Sequence, residues 1–343
     1  MPTMARAHQK QIVLAHGGGG QLTDDLLDTL IRPRFANPTL NTLADSALLD
    51  VGAGRLAFTT DSYVVHPLEF PGGDIGRLAV CGTVNDLAVS GADPRWLSLA
   101  LIIEEGLAID VLGRVLDSAR AAADEAGVQV VTGDTKVVAR GQADGVFINT
   151  AGIGIVRTGV TLSPERACPG DAVLLSGTIA DHGMAVMLQR EDATGVRSVL
   201  ASDVAPINGI ARAVMDAAPG VRFMRDPTRG GLAGVLADLA ERSGRRVSVD
   251  EVAIPMRRET LYAAEMLGID PLDVANEGKL VAVVPGDQAP AALDAMRAHE
   301  RGRDAAIIGR VGDETDGLCE LVTDVGGRRV LLKPYGEELP RIC

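Results

Sequence analysis

Apolar residues along this chain recur at two spacings, and the switching between them marks out its elements. Residues 58–65, 96–104, 128–138 and 146–156 hold short Val-, Ile- and Leu-rich runs that read as strands. Between them, 75–90 and 109–126 read as helices. In the second of these, Leu112, Val115, Leu116 and Ala119 fall on one buried face, and Gly127 stands where a helix ends. Turn residues then cluster at Ser163-Pro164 and at Cys168-Pro169-Gly170-Asp171, which predicts a domain boundary near residue 160.

The alternation resumes beyond that break. A strand is predicted over 172–176, then a helix over 229–243 with Leu232, Val235, Leu236 and Leu239 on one face. A strand over 246–254, a helix over 259–267, a strand over 279–284 and a helix ending near His299 follow. The pair 319–324 and 328–333 around Gly326-Gly327 reads as a hairpin. Two α/β (α+β) domains are expected, 12–160 and 161–333, followed by a mobile tail over 334–343.

Composition refines this picture at a few points. A chain of 343 residues exceeds the comfortable size of one core, which agrees with two domains. Only 3% of residues are aromatic, so both cores must be aliphatic. The net charge of −13, with no concentrated Lys or Arg, argues against a nucleic-acid partner. The start, MPTMARAHQK, lacks an apolar stretch behind its charges, and the strongest apolar run, 97–103, is too short to span a bilayer. The expectation is a cytoplasmic protein without a membrane partner.

The four cysteines, Cys81, Cys168, Cys319 and Cys343, never approach a CxxC spacing, so a zinc ribbon or dithiol is not expected. Cys81 and Cys319 sit among apolar residues and read as small buried hydrophobes. Cys343 differs. It closes the sequence after a polar, proline-containing run, in a setting for a mobile nucleophile. Residues 334–343, if extended, reach roughly 33 Å at about 3.3 Å per residue. Prenylation does not account for it, because nothing follows the cysteine.

Chemistry gathers around glycines and acids. His16 is followed by Gly17, Gly18, Gly19 and Gly20, which could bring backbone N–H groups to an anion or form a flexible linker. Asp226-Pro227-Thr228-Arg229-Gly230-Gly231 precedes a helix, with Thr228 a candidate N-cap. It reads as a phosphate site or an ordinary helix start. Asp86 falls on an otherwise apolar helix face, where a carboxylate needs a partner such as a metal ion. Asp134 and Lys136 lie two apart on one strand face. With Asp45 and Asp61, these acids could supply oxygen ligands to Mg²⁺ and a nucleotide, although each alone is more often a turn or cap residue. His182 could be an acid/base group, a phosphate contact or a turn histidine. Glu277, beside a glycine at a strand start, could be a base or a second-metal ligand.

Together the segments VTGDTKVV (131–138), GDAVLLSGTIADHG (170–183), RDPTRGGL (225–232), NEGKLVAVV (276–284) and the closing PRIC (340–343), with the stretch from Thr60 onward, resemble the HypE family of nickel-iron hydrogenase maturation proteins. That family lies within the aminoimidazole ribonucleotide synthetase (PurM-like) superfamily. The likeness runs from His16 to the last residue, with two departures. Gly18 stands where the family often has serine, and Glu69 where it usually has an apolar residue.

The resemblance implies a two-domain PurM-like fold and ATP-dependent dehydration of a carbamoyl group on Cys343 to a thiocyanate. It implies Asp45, Asp61, Asp86 and Asp134 around Mg²⁺ and ATP, and Lys136 on the phosphates or a forming oxyanion. Glu277 would be the base, with His182 as second candidate, and Gly17–Gly20 and Thr228–Gly231 would cradle phosphates. It further implies a HypF-type carbamoyltransferase that loads the cysteine, a HypC–HypD complex that accepts cyanide, and a homodimer formed through the N-terminal domain. Thiamine-monophosphate kinase and selenophosphate synthetase share the superfamily but give the tail no role. The latter normally has a cysteine or selenocysteine beside its glycine-rich loop, and no cysteine precedes Cys81 here. A non-catalytic nucleotide sensor is the alternative outside enzymology.

Overall fold

The computed structural model describes residues 20–31, 37, 39–42, 45–52, 54–190, 200–334 and 341–343. In the first half, β1 (Ala47–Asp50), β2 (Arg55–Tyr63), β5 (Ala92–Glu104), β6 (Gln129–Val138) and β7 (Val146–Val156) form one sheet in the order β1-β2-β7-β5-β6. A two-stranded hairpin, β3 (Glu69–Phe70) with β4 (Gly73–Asp74), precedes the first long helix. All neighbours in the large sheet are antiparallel except β5 and β6, which run parallel because helix Ile109–Ala126 connects them.

One face of this sheet is packed and the other is open. Inward residues such as Tyr63, Leu97, Leu101 and Ile148 form a core with Leu78 and Ala79 of helix Ile75–Val89 and with Val115, Ala119 and Ala122 of helix Ile109–Ala126. The small side chains of the latter bring it close to its neighbours, and Gly127 ends it in the left-handed conformation (φ 70°), as its position predicts. On the outward face Phe58, Trp96, Ile102 and Ile155 remain exposed.

The second half has a seven-stranded sheet: β14 (Arg328–Leu331), β13 (Cys319–Val322), β10 (Val247–Asp250), β12 (Ala306–Val311), β8 (Ala172–Leu175), β11 (Val281–Val284) and β9 (Phe223–Arg225), in that order. Both of its faces are covered. Val173, Leu175, Val281 and Val283 pack toward helix Gly231–Ser243, whereas Leu174, Ala282 and Val284 pack toward helices Asn208–Ala217 and Ala289–Ala298. Burial on both sides explains why β8 and β11 read as continuous apolar runs rather than alternating ones.

Differences from the expected elements have local causes. The strand expected over 246–254 is only β10, because Asp250 accepts a bond from the Val252 N–H and starts a 3-10 turn, Glu251–Ala253. Asp181-His182-Gly183 opens a helix, Asp181–Arg190, rather than forming a turn. Residues 181–186 are all buried, so that helix has no polar stripe to reveal its period. The hairpin β13–β14 is present as expected, and Cys81 and Cys319 are buried, with both thiols pushed up to about 12 by desolvation.

The two halves are tied at Asn85, on the inner face of helix Ile75–Val89. Its amide donates to the carbonyls of Ala205 (3.1 Å) and Glu277 (3.2 Å) and accepts from the Ile207 N–H (2.9 Å). The bonds cross from the first half to the second, and they fix the segment around Glu277 relative to the N-terminal sheet.

Candidate active site

A cleft of about 680 Å³ opens between the two halves, and most of the expected chemistry converges there. Asp45, Asp61 and Asp86 come from the N-terminal side. Asp226, Thr228, Arg229 and Glu277 come from the C-terminal side, and Cys343 enters with the tail.

The N-terminal acids are held from β2. Its residues 59–63 continue beyond the pairing with β1, so their edge faces the cleft. Thr59 Oγ1 donates to Asp86 Oδ2 (2.8 Å) and also lies 3.0 Å from the Asp45 carbonyl oxygen. Tyr63 Oη donates to Asp61 Oδ2 (3.2 Å). That tyrosine reaches its partner across Gly82, where a Cβ would lie 2.2 Å from the hydroxyl. Facing these acids, Arg225 pairs with Asp45 (3.0 Å) and Asp238 (2.7 Å), and Arg229 lies 4.0 Å from Asp61.

Negative charge is left in excess. Asp86 is held well above the carboxylate range by burial and then by Asp61, Asp226 and Asp45. Asp226 is raised for the same two reasons, with Asp45 its largest charged neighbour. Glu277, only 2% exposed, is raised by burial and by Asp226, Asp203 and Asp61, and its Oε1 has no hydrogen-bond partner. A buried carboxyl without a partner is costly unless it serves a bound group or a reaction. Among the described residues no three His, Cys, Asp or Glu side chains are close enough to enclose a metal ion by themselves. The acids therefore suit an ion held by one or two carboxylates together with phosphates, the usual habit of Mg²⁺.

Residues 341–343 lie along the N-terminal domain, continuing beside the chain that follows β2. Val64 N–H donates to the Cys343 carbonyl (3.2 Å) and His66 N–H to the Arg341 carbonyl (3.2 Å). Ile342 is 3% exposed, in the cluster that contains Val65, Phe70 and Val186. The charge at Cys343 is the largest influence raising the Arg229 guanidinium.

Other expected residues stand elsewhere. His182 is fully buried and does not line the cleft. Its Nε2 donates to the Ile342 carbonyl (2.9 Å), so Nδ1 accepts from Ser202 Oγ (2.8 Å), and burial keeps the ring below its ordinary value. Thr228 lines the cleft but is not the cap. Gly230, left-handed at φ 78°, precedes helix Gly231–Ser243, and the Thr228 carbonyl accepts from the Gly231 N–H (2.9 Å). Asp134 and Lys136 pair with each other (3.3 Å), exposed on β6 at the far edge of the sheet, three strands from β2. Gly17, Gly18 and Gly19 lie outside the described residues, as does 335–340 of the tail. Gly20 is buried at the start of helix Gln21–Leu26. Glu69 is paired with Arg114 through two bonds, 2.7 and 2.8 Å, which accounts for a charge at that position.

Sequence reasoning passed over Tyr63, Asp238 and the catalytic-side placement of Asp226. Their signal is three-dimensional: Asp226 was legible only as part of the motif before the helix, and Tyr63 as an aromatic in a strand.

Comparison with known proteins shows the family to which this fold belongs. Residues 43–156 match the family model of AIR synthase related protein, N-terminal domain, and 168–319 that of the C-terminal domain. The chain is similar to the carbamoyl dehydratase HypE of Rhodobacter capsulatus, 47% identical over 337 residues, 97% of this chain and 98% of that protein. It is also similar to a crystal structure of the hydrogenase maturation protein HypE in complex with ATP (TM-score 0.80, 45% identity, 97% of this chain and 100% of that one). A HypE–HypF complex contains a chain that matches with TM-score 0.85 and 45% identity, over 90% of this chain and 99% of that one.

Proposed function

This chain belongs to the HypE family of carbamoyl dehydratases, ATP-dependent enzymes of hydrogenase maturation, and we propose that the substrate it dehydrates is an S-carboxamide on its own Cys343. The observation that carries this reading is the shared cleft of Glu277 and Cys343, one an unpartnered buried carboxyl, the other a thiol on a docked tail. The carboxamide oxygen attacks the γ-phosphorus of ATP and ADP leaves. The carbon–oxygen bond then breaks, phosphate departs with that oxygen, and the nitrogen loses two protons to give a thiocyanate. The balance is S-carboxamide plus ATP to thiocyanate, ADP and phosphate.

Glu277 is assigned as the base that takes a nitrogen proton. Its raised affinity for protons suits it to a weakly acidic amide nitrogen. His182, with its Nε2–H committed to the tail, is assigned to holding substrate rather than to proton transfer. Arg229 and the backbone around Gly230 and Gly231, together with Gly17–Gly20, are assigned to the phosphates. Mg²⁺ held by one or two of Asp45, Asp61 and Asp86 together with the phosphates would neutralise phosphate charge during transfer.

Asp134 and Lys136 fit this scheme if they are supplied by a second copy. Apposition of the open faces of two N-terminal sheets would cover Phe58, Trp96, Ile102 and Ile155, which supports a homodimer formed through that domain. The N-terminal ATP-binding and dimerisation domain is assigned to 12–160, the second domain to 161–333 and the mobile tail to 334–343. The HypE–HypF complex of a relative supports a HypF-type carbamoyltransferase as the loading partner, and a HypC–HypD complex is the assigned cyanide acceptor. No helix among the described residues is long and apolar enough to cross a membrane, in keeping with an assigned site of action in the cytoplasm.

The test is intact-protein mass spectrometry after incubation with the carbamoyltransferase, carbamoyl phosphate and ATP. One carbamoyl group is expected on Cys343, followed by loss of one water. The Cys343→Ala variant retains nucleotide binding and acquires no adduct. ATP hydrolysis without any adduct on the wild-type chain overturns the reading.

A further inference from the structure

The docked end of the tail is read by groups from both domains, in more detail than a loosely held nucleophile requires. All three carbonyls of residues 341–343 accept hydrogen bonds. Those of Arg341 and Cys343 accept from the N–H groups of His66 and Val64, and that of Ile342 from His182 Nε2. The Arg190 guanidinium, on the same helix as His182, also donates to the Arg341 carbonyl and, through Nε, to that of His66 (2.5 Å).

Two side chains of the tail are read as well. Arg341 Nε donates to the Val64 carbonyl (3.0 Å) and Nη1 to Asp144 Oδ2 (2.5 Å), while the Ile342 side chain is enclosed by apolar residues of both domains. His66 Nδ1 lies 3.2 Å from the same Asp144 oxygen, so Asp144 stands between the tail's arginine and the chain that follows β2. On the far side, His182 leads back toward the cleft. Ser202 Oγ joins His182 Nδ1 to the Val204 N–H, and the adjacent Asp203 accepts from the Glu277 N–H (3.1 Å) and pairs with Lys279 (2.8 Å). The segment 202–204 thus touches the tail's anchor at one end and the backbone of Glu277 at the other.

The geometry points to a recognition site for an Arg-Ile-Cys chain end, in which Asp144 selects the arginine and His182 fixes the register that sets Cys343 opposite Glu277. This rests on the proposal that Cys343 carries the substrate, and it adds specificity to it. Asp144, Arg341 and His182 are positioning residues. They touch the tail's backbone or its arginine and act on the reaction only by placing the sulfur. The strand-like pairing fixes spacing, because a shift by one residue would turn Ile342 out of its enclosure.

The test uses full-length chains, loaded on Cys343, freed of the loading enzyme and then given Mg²⁺ and ATP in a single turnover followed by mass. Arg341→Glu sets two carboxylates against each other, and conversion of its adduct should slow by about tenfold or more, as loss of a charge-assisted bond implies. Its nucleotide affinity should stay at the wild-type value, since neither Arg341 nor Asp144 lines the cleft. Asp144→Arg combined with Arg341→Glu should restore most of the rate. His182→Gln, which keeps a donor, should convert faster than His182→Ala. Wild-type conversion by Arg341→Glu, or a double variant no faster than the single one, overturns the recognition site. A wild-type adduct that never loses water would instead overturn the function on which the site rests.

Discussion

Replacing Glu277 with glutamine separates what the carboxylate does in the reaction from what its burial costs the fold. The side chain is 2% exposed, its Oε1 is unbonded, and Asp226, Asp203 and Asp61 all disfavour its ionisation, with Arg229 opposing them weakly. Its folded pKa therefore lies above the unfolded carboxylate value of about 4.3, and each unit of the difference is worth about 1.4 kcal/mol. The sign follows from proton counting. Between the unfolded and folded pKa values the native state binds the extra proton, so stability falls as pH rises through that window. Glu277→Gln removes this loss, and without nucleotide the variant should gain on the wild type from pH 4 upward. The gain grows by about 1.4 kcal/mol for each pH unit above the unfolded value until the folded value is passed.

Activity should move the opposite way. Loss of a general base costs about 10²–10⁴-fold, so single-turnover conversion of loaded Cys343 should fall by at least a hundredfold while loading itself is unchanged. Urea unfolding at pH 5 and pH 8, beside mass-resolved turnover, measures both effects. A variant that converts within threefold of wild type, or whose stability difference is the same at both pH values, refutes the assignment.

Three other outcomes test the cleft. Asp226, raised to about 7, should give up its proton when Mg²⁺-nucleotide binds near neutrality. Calorimetry in two buffers of different ionisation enthalpy should show proton release that Asp226→Asn abolishes, and equal release in both proteins would contradict the charge excess. Gly82→Ala places a methyl 2.2 Å from Tyr63 Oη, so it should cost about 1–3 kcal/mol as overpacking does and loosen nucleotide binding by displacing Tyr63 from Asp61. Unchanged denaturant midpoints would show that the tyrosine has room to move. Asn85→Ala strips partners from Ala205, Ile207 and Glu277 at once, with an expected loss of about 3 kcal/mol, read as a lower urea midpoint.

How much of this was legible depended on whether the signal was local. Helix Ile109–Ala126 and strand Val146–Val156 were read to the residue, because one has an amphipathic stripe closed by Gly127 and the other a regular inward alternation. Helix Asp181–Arg190 received no expectation, and a turn was one of the readings of His182, since six consecutive buried residues erase the stripe and Asp-His-Gly imitates turn chemistry. Helix Asn208–Ala217 and β12 received no expectation at all, although the former is clearly amphipathic once its bounds are known. Motif spacing found Asp45, Asp61, Asp86, Thr228, Arg229 and Glu277, which do meet in one cleft. It could not foresee the posture of His182, whose partner is 160 residues away, or the distance of Asp134 and Lys136 from that cleft within one chain.

The pairing of residues 341–343 with 64–66 also bears on solubility. Were the tail to depart, the N–H groups of Val64 and His66, just past the end of β2, would lose their acceptors and leave a short stretch of backbone unpaired, the kind of edge along which proteins stick to one another. The docked chain end thus covers backbone that would otherwise stand open. Release of the tail would open an adhesive seam, and a protein that offered a strand of its own to that seam would hold the tail out without touching the cysteine.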